Sequence, residues 1–427
     1  MKYKILMLCI RFPYPPKDGG AVAMYNMIEA FHEEGHEVTV FAMNTSKHYV
    51  HIRDLPAEVL EKAEYHAVDI NTSVKKLDLV ANLLFSKKAY HVQRFESKGF
   101  STALENFLKE KVSQKDLFDY VQLETVYMAS YLSLLRKYLP DAKIILRAHN
   151  VEQDIWKGAA ENENNPFKQY YLSILADRIS LFEKKVITNK LSGAKLDAIV
   201  TVSKEDAKAF KKLDSGVPIH TSWIGLDVLM IKQILAESES QWEKASEERK
   251  RERQHAVFHI GSMDWRANQE GVNWFLKKVW PRINKRYPES TFLLAGRNMP
   301  LFYRSMKENQ VTIVGEVESA YDFMLSNGIM VVPLFEGSGM RVKILEGMAL
   351  KRPIVATPTA VKGIPAKHGQ HLLIAESAKD FANCVSILLE NPELGETMGR
   401  HAYKLVENSF DYRKLVSNLT DFYGKLK

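Results

Sequence analysis

The residues best equipped for chemistry lie in one run, Pro333-Leu-Phe-Glu336-Gly337-Ser338-Gly339-Met-Arg341-Val-Lys343-Ile-Leu-Glu346-Gly-Met-Ala349. The apolar residues Ile329 to Val332 are halted by Pro333 and followed by Gly337 and Gly339. From near Met340, Ile344, Leu345, Met348 and Ala349 recur at helical spacing. Strand, glycine turn and helix, in that order, aim unpaired backbone N–H groups at an anion. Arg341 and Lys343 fall in or near the first helical turn, where the helix dipole disfavours cations by roughly a few tenths of a kcal/mol each. A bound phosphate or diphosphate reverses that sign. An amphipathic helix with solvated charges would use the same residues, so the elements around the run must decide.

Those elements alternate strand and helix. In the first half, strands are expected at Lys4 to Ile10, Glu37 to Ala42, Tyr120 to Leu123, Lys143 to Arg147 and Ala198 to Val202. Between the first two runs a helix carries Met24, Met27, Ile28 and Phe31 on one face and is closed by Gly35. A long helix from Tyr170 to Val186 has an apolar stripe and reads as core. The second half restarts the pattern with strands at Ala256 to Ile260, Thr291 to Ala295, Val311 to Val314, Ile329 to Val332 and Ile354 to Ala356. Such alternation calls for parallel sheets covered on both faces, in which ligands bind outside the carboxyl ends of the strands. That rule selects Gly19-Gly20, the loop Arg147-Ala-His149-Asn-Val-Glu152, Gly261 to Asn268, Gly296-Arg297, Gly315-Glu316 and the opening run.

The expected organisation is α/β, with two Rossmann-like domains facing a cleft: 1–225, 226–408, and a terminal helix over 409–427 of unclear docking. The polar segment Ile231 to Gln254 reads as an exposed helix joining the domains. Length supports two cores, since the chain has 427 residues. Two cysteines, Cys9 and Cys384, cannot build a disulfide framework or a cysteine zinc site, which fits a reducing compartment. No apolar run approaches the ~18 residues of a membrane span, and Arg11 stands where a signal peptide needs a small residue. A cytoplasmic protein is expected, with possible peripheral contact at the inner face of a membrane.

The net charge of +7 is mild and permits nucleic acid, anionic lipid or phosphorylated substrates as partners. No finger, basic zipper or aromatic–basic strand motif supports nucleic acid. The cation- and aromatic-rich region from Lys75 to Lys98 is either a solvated helix pair with lysines outward or a surface that docks on anionic headgroups. No glycine-spaced Gly-Lys-Ser/Thr P-loop occurs. His32-Glu-Glu-Gly-His36 matches the zinc-peptidase pattern, but Gly35 interrupts the helix that would have to present both histidines on one face. A metal-free site that neutralises diphosphate with Arg, Lys and helix N-termini is the reading that fits.

The Gly-Ser-Gly-x-Arg-x-Lys-x-Leu-Glu segment, followed by Gly-Met-Ala and Pro353-Ile-Val355, resembles the nucleotide-sugar motif of family 4 glycosyltransferases with the GT-B fold. Similar motifs run along most of the chain: the Gly19-Gly20 loop, Gly35-His-Glu-Val-Thr-Val40, Arg-Ala-His149-Asn-Val-Glu, Thr201-Val-Ser203, Gly261-Ser-Met-Asp-Trp-Arg266-Ala-Asn, Ala295-Gly-Arg297 and Val314-Gly315-Glu-Val317.

The resemblance implies retaining transfer of a sugar from a nucleotide-diphosphate donor, held mainly by the C-terminal domain, to an acceptor hydroxyl on a carbohydrate or lipid-linked molecule. Polysaccharide or glycolipid assembly would be its setting, with no cofactor beyond the donor. The motif's ribose-binding glutamate falls on Glu346. Its first glutamate is usually eight positions earlier, where this chain has Ser338, while Glu336 stands ten earlier. A cation usually follows the first strand of the second domain; here Ser262 follows Gly261, and Arg266 stands further along. The resemblance therefore assigns the diphosphate to Arg266, Arg341 and Lys343, with Gly315, Gly337 and Gly339 lining the donor site. His149 and Glu336 are nominated beside the reacting sugar, and Gly19 and Gly20 as approaching the donor. Similar donor contacts also serve GT-B-fold sugar-nucleotide epimerases and non-catalytic nucleotide-sugar-binding subunits.

Overall fold

The computed structural model describes residues 2–191, 193–304, 306, 310–337 and 339–426. Two compact units divide the chain, one formed by Met1–Ile224 with Tyr412–Lys427 and the other by Gly225–Asp411.

In the first unit the strands are β1 (Lys4–Cys9), β2 (Glu37–Thr45), β3 (Glu64–Ile70), β4 (Tyr120–Glu124), β5 (Lys143–Ala148), β6 (Ala198–Thr201) and β7 (Ile219–Thr221). They form a seven-stranded sheet in the order β3-β2-β1-β4-β5-β6-β7, and every pairing is parallel. Central strands read as unbroken apolar runs because helices cover both faces: Ile5 to Cys9 are all fully buried. The edge strands β3 and β7 have no such run, and neither is among the strands expected from the sequence. β3 reads Glu-Tyr-His-Ala-Val-Asp-Ile with only Tyr65 buried. Gly35 ends the Gly19–Glu33 helix region with φ +82°, so the chain turns straight into β2. That turn places His36 outside the helix, its Nδ1 accepting from the Tyr3 N–H at 3.1 Å and its ring stacked on Tyr3.

The terminal helix, Tyr412–Tyr423, belongs to this first unit. Val416, Leu419 and Tyr423 join the core that contains Phe31 and Met27. The Tyr412 hydroxyl donates to Glu33 at 2.9 Å, and the Thr420 hydroxyl to Glu34 at 2.7 Å. Its last turn reaches the sheet, where the Tyr120 hydroxyl donates to the Tyr423 carbonyl at 2.9 Å.

In the second unit the strands are β8 (Ala256–Ile260), β9 (Thr291–Ala295), β10 (Val311–Gly315), β11 (Ile329–Val332), β12 (Ile354–Ala356) and β13 (Leu373–Ile374). The six-stranded sheet runs β10-β9-β8-β11-β12-β13, again with every pairing parallel. In both sheets strand order reverses beside the first strand, between β1 and β4 and between β8 and β11, which is where such folds open a crevice. The polar segment before β8 is not one joining helix but two helices of the second unit, Val228–Glu243 and Glu247–His255. They break where Ser246 caps the second by accepting from the Arg249 N–H at 3.3 Å. The helical stretch after Arg266 contains a π turn at Phe275–Val279, immediately before Pro281, which has no N–H to continue an ordinary ladder.

Candidate functional site

The carboxyl ends of β8, β9 and β10 are tied together by backbone, and glycine makes this possible. Gly296 N–H donates to the Gly315 carbonyl at 2.6 Å, and Gly261 N–H to the Ala295 carbonyl at 3.2 Å. A side chain on Gly296 would sit on the Gly261 carbonyl. One strand further, the Arg266–Trp274 helix approaches the end of β11 so closely that a Cβ on Gly271 would collide with the Pro333 carbonyl. Three glycine-bearing strand ends thus lead up to the switch point.

The opening run of the sequence fills that point. Its helix begins at Val342, not near Met340, because Arg341 is extended and serves as N-cap without a side-chain capping bond. Gly337 and Gly339 take φ values of +112° and +75°, a region open to glycine at little strain. The turn folds back so that the Arg341 guanidinium lies over Gly337. It reaches the carbonyls of Glu336 and Gly339 only at 3.4 and 3.5 Å. Glu336 lies 3.8 Å from Arg266 across the turn. Arg266 is held more tightly by Glu270, one helical turn along, at 2.5 Å. Ser338 lies outside the described residues.

Lys343 points across to β8. Its ammonium donates to Asn268 Oδ1 at 3.0 Å and stands 3.5 Å from His259 Nε2. His259 Nδ1 lies 2.8 Å from the Val331 carbonyl, which fixes the proton on Nδ1 and leaves Nε2 as an acceptor facing the ammonium. Asn268 is oriented in turn by donating to the Ser262 carbonyl at 2.8 Å. Gly261 has no side chain because a Cβ there would come within 2.5 Å of the Lys343 nitrogen.

Burial dominates the electrostatics of this cluster. Burial, with the neighbouring Arg341 charge, pushes Lys343 down to about 7; burial pushes Glu346 up to about 7 against the opposing pull of Lys343. Burial lowers Arg341 as well, and burial with the Lys343 charge holds His259 down at about 3. Lys343, Arg341 and Glu346 nevertheless keep some solvent access. Tyr321 stands close enough to Glu346 for that carboxylate to add to the burial that raises its hydroxyl pKa. Of the donor-side residues expected from the sequence, Arg266, Glu336, Gly337, Gly339, Arg341, Lys343 and Glu346 meet here. Gly315 belongs to the glycine-linked strand ends beside them. His259 went unrecognised, because a histidine inside an apolar strand reads as core, and Asn268 was selected only as the end of a loop, without its role toward Lys343.

In the first unit the sequence-selected loops also come to the switch point. His149 Nε2 lies 2.5 Å from Glu124 Oε2 at the end of β4, and Arg147 Nη1 donates to the same oxygen at 3.2 Å. Burial opposes charge on Glu124, but the Arg147 cation and the His149 hydrogen bond bring its pKa below the usual range. Burial keeps His149 below the usual histidine value despite Glu124, so at neutral pH the ring is neutral. With the proton on Nε2, Nδ1 is its acceptor. The residue after Glu124, Thr125, has φ +86°, a strained setting for a β-branched residue. Its N–H donates to the Arg147 carbonyl at 3.0 Å.

Gly19 and Gly20 open the helix that follows β1, and Asp18 caps it, accepting from the Gly20 and Ala21 N–H groups at 3.1 Å each. Arg11 grips Asp18 through both nitrogens, Nη1 at 2.6 Å, and lies where a Gly20 side chain would be. Part of this helix N-terminus is therefore already occupied by a paired carboxylate. Asp18 belongs to the loop selected from the sequence, but its pairing with Arg11 was not foreseen.

Residues 254–391 match the family model described as Glycosyl transferases group 1. Along its whole length the chain is similar to an uncharacterized 44.6 kDa protein in the cps region of Klebsiella pneumoniae, at 22% identity over 97% of this chain and 98% of that one. Among solved structures it is similar to sucrose-phosphate synthase from Thermosynechococcus elongatus, with a TM-score of 0.70 at 13% identity, covering 100% and 99% of the two chains. Anabaena HepE in complex with UDP and glucose gives a TM-score of 0.64 at 12% identity over 99% and 100%. A glycosyltransferase from Rickettsia africae gives 0.63 at 15% identity over 100% and 98%. The chain has the two-sheet α/β fold of the GT-B glycosyltransferases, and its second unit carries the match to the group 1 family.

Proposed function

We propose that the protein is a retaining glycosyltransferase that moves a sugar from a nucleoside-diphosphate donor to an acceptor hydroxyl, in assembly of a cell-surface polysaccharide or glycolipid. The observation that carries the reading is the cluster at the end of β11. There Arg341 caps the short helix that carries Lys343 and Glu346, and all three side chains keep solvent access beside glycine-lined strand ends. Arg341, Lys343 and the uncapped helix N-terminus neutralise the departing nucleoside diphosphate, with Arg266 at the margin of the turn. Glu346 holds the ribose hydroxyls, and Glu336 serves the transferred sugar. In the first unit His149, with its tautomer set by Glu124, accepts a hydrogen bond from a sugar hydroxyl, and Gly19 and Gly20 contribute to donor binding. With the diphosphate neutralised by cations, turnover is expected to persist in EDTA.

Two comparisons support the setting. HepE was solved with UDP and glucose, and the Klebsiella relative is named for a cps region. Peripheral contact with an anionic membrane is supported by the Lys76–Phe85 helix, which leaves Leu77, Leu84 and Phe85 exposed at 84%, 66% and 87% with Lys75 and Lys87 nearby. Among the described residues no helix is long and apolar enough to cross a membrane.

The test is release of nucleoside diphosphate from a panel of nucleotide sugars with and without candidate acceptors. Proton NMR of the product then reads the anomeric configuration. Acceptor-dependent release with retention, reduced ~10²-fold or more by Glu346→Gln, is the expected result. Epimerisation of the donor without acceptor, or inversion, overturns it.

A further inference from the structure

The second unit contains another basic cavity, at the opposite edge of the same sheet. Its volume is about 500 Å³, and Gly328 and Ile329 at the start of β11 and Pro353 before β12 form part of its wall. Trp242, Arg253, Arg352 and the first turn of the Pro392–Ser409 helix complete the part that matters. The Arg253 guanidinium lies over the Trp242 ring at 4.2 Å, a stack that holds the fork in place while leaving its N–H edge available. Arg352 is fixed by donating to the Leu350 and Asn327 carbonyls at 3.0 and 3.1 Å, which spends two of its five N–H groups.

Other charges in the wall are matched. Lys351 pairs with Glu239 at 2.7 Å, Lys250 with Glu247 at 2.8 Å, and Arg400 with Glu396 at 3.7 Å. Arg253 and Arg352 are different. Among the described residues neither has a carboxylate within ion-pair distance, although Glu396 is near enough to favour the charge on both. Burial drives Arg253 down to about 10, and burial with the Arg253 charge drives Arg352 down to about 9. The Pro392–Ser409 helix has no side-chain cap, and its Pro392, Gly395 and Glu396 face the cavity. Two positioned guanidinium forks on one cavity wall make an anion receptor, and the volume is that of a small molecule.

We propose that this cavity is a second ligand site, distinct from the Arg341–Glu346 site, which binds a small phosphoryl-bearing molecule through Arg253 and Arg352. Ile329, Pro353 and Leu388 give the rest of that molecule an apolar wall. Lys351 and Arg352 directly follow the Val342–Ala349 helix, whose other end carries Arg341 and Lys343. One rigid element therefore joins the two sites.

The probe is inorganic phosphate, titrated into the full-length protein against sodium chloride of equal ionic strength, with thermal unfolding and tryptophan emission as readouts. Phosphate is expected to raise Tm by roughly 3 °C or more near saturation. The shift should persist in Arg341→Gln, which alters the other anion site, and be abolished when Arg253→Gln is added to that background. An emission change present in the native chain and lost in Trp242→Phe locates the anion independently of whether Arg253→Gln folds. A full Tm shift when Arg253→Gln is added to Arg341→Gln, the same shift with chloride, or an emission change unaltered in Trp242→Phe overturns the proposal.

Discussion

The opposed titrations of Lys343 and Glu346 make a quantitative prediction for donor binding. In the ligand-free protein both groups titrate at about 7. A bound diphosphate beside Lys343 favours the ammonium, so its pKa rises on binding. Above pH 7 the free protein has lost that proton and must take one up to bind. Affinity then falls by up to tenfold per pH unit, or about 1.4 kcal/mol. Glu346 behaves oppositely. If it accepts hydrogen bonds from ribose hydroxyls, binding favours the carboxylate. Below pH 7 a proton must leave, and affinity falls again toward acid by the same limiting slope.

Donor affinity should therefore peak near pH 7. Calorimetric titration between pH 5 and 9, in buffers of differing ionisation enthalpy, measures both affinity and protons exchanged. The ligand should be an intact nucleotide sugar chosen from the panel for its stabilisation of the protein. Its diphosphate is esterified at both ends and has no ionisation near 6 to confuse the acid limb, unlike a terminal phosphate. Lys343→Met should flatten the alkaline limb, and Glu346→Gln the acid limb. Affinity that stays level from pH 7 to 9, with no proton uptake, refutes the assignment of Lys343 to the diphosphate.

Four further outcomes follow from packing and charge. Gly261→Ala places a methyl about where the Lys343 ammonium sits at 2.5 Å; the flexible side chain can move, so unfolding free energy should change by under ~1 kcal/mol while donor affinity drops roughly tenfold. Gly271→Ala meets the Pro333 backbone carbonyl instead and should cost the second unit ~2–4 kcal/mol in urea denaturation. Glu124→Gln strands the Arg147 cation, whose side chain is 1% exposed, and should cost ~3–5 kcal/mol. Because Glu124 is depressed below its unfolded value, that stability is present at neutral pH and lost as pH falls through the folded value. Finally, Phe85→Asp should weaken sedimentation with anionic liposomes several-fold, and binding to neutral vesicles of equal strength would argue against an electrostatic dock.

The central strands were legible because burial on both faces favours apolar residues along most of their length: β8, β9, β11 and β12 fall at the residues expected from their runs. β3 and β7 were not, since an edge strand can carry Glu64, His66 and Asp69 without penalty. Most of the residues assigned to the donor lie close together in sequence, within Glu336 to Glu346. The partners that tune them were not legible. Asn268 and His259 reach Lys343 across 75 and 84 residues of sequence, and no local spacing announces such a meeting. The docking of the last helix was hidden for the same reason, because Tyr423 meets Gln122 and Tyr120 only through the completed sheet.

The two units solve the burial of charge in opposite ways, and the contrast indicates where the donor's charge belongs. In the first unit Glu124 is fully satisfied from within the chain: Arg147 and His149 share one oxygen, and Gln122 donates to the other at 2.5 Å. Gln122 is in turn held by the Tyr423 hydroxyl, which roots the network in the terminal helix. The network pairs the Glu124 carboxylate internally and holds His149 in one tautomer with Nδ1 as acceptor, the property needed to orient a neutral sugar hydroxyl. In the second unit Lys343 rests on neutral Asn268 and His259. Neutral partners position a cation without cancelling it. A dianionic diphosphate is therefore worth more beside Lys343 than in the first unit, and changing Asn268 to Asp should weaken donor binding by supplying internally the charge that the donor would bring.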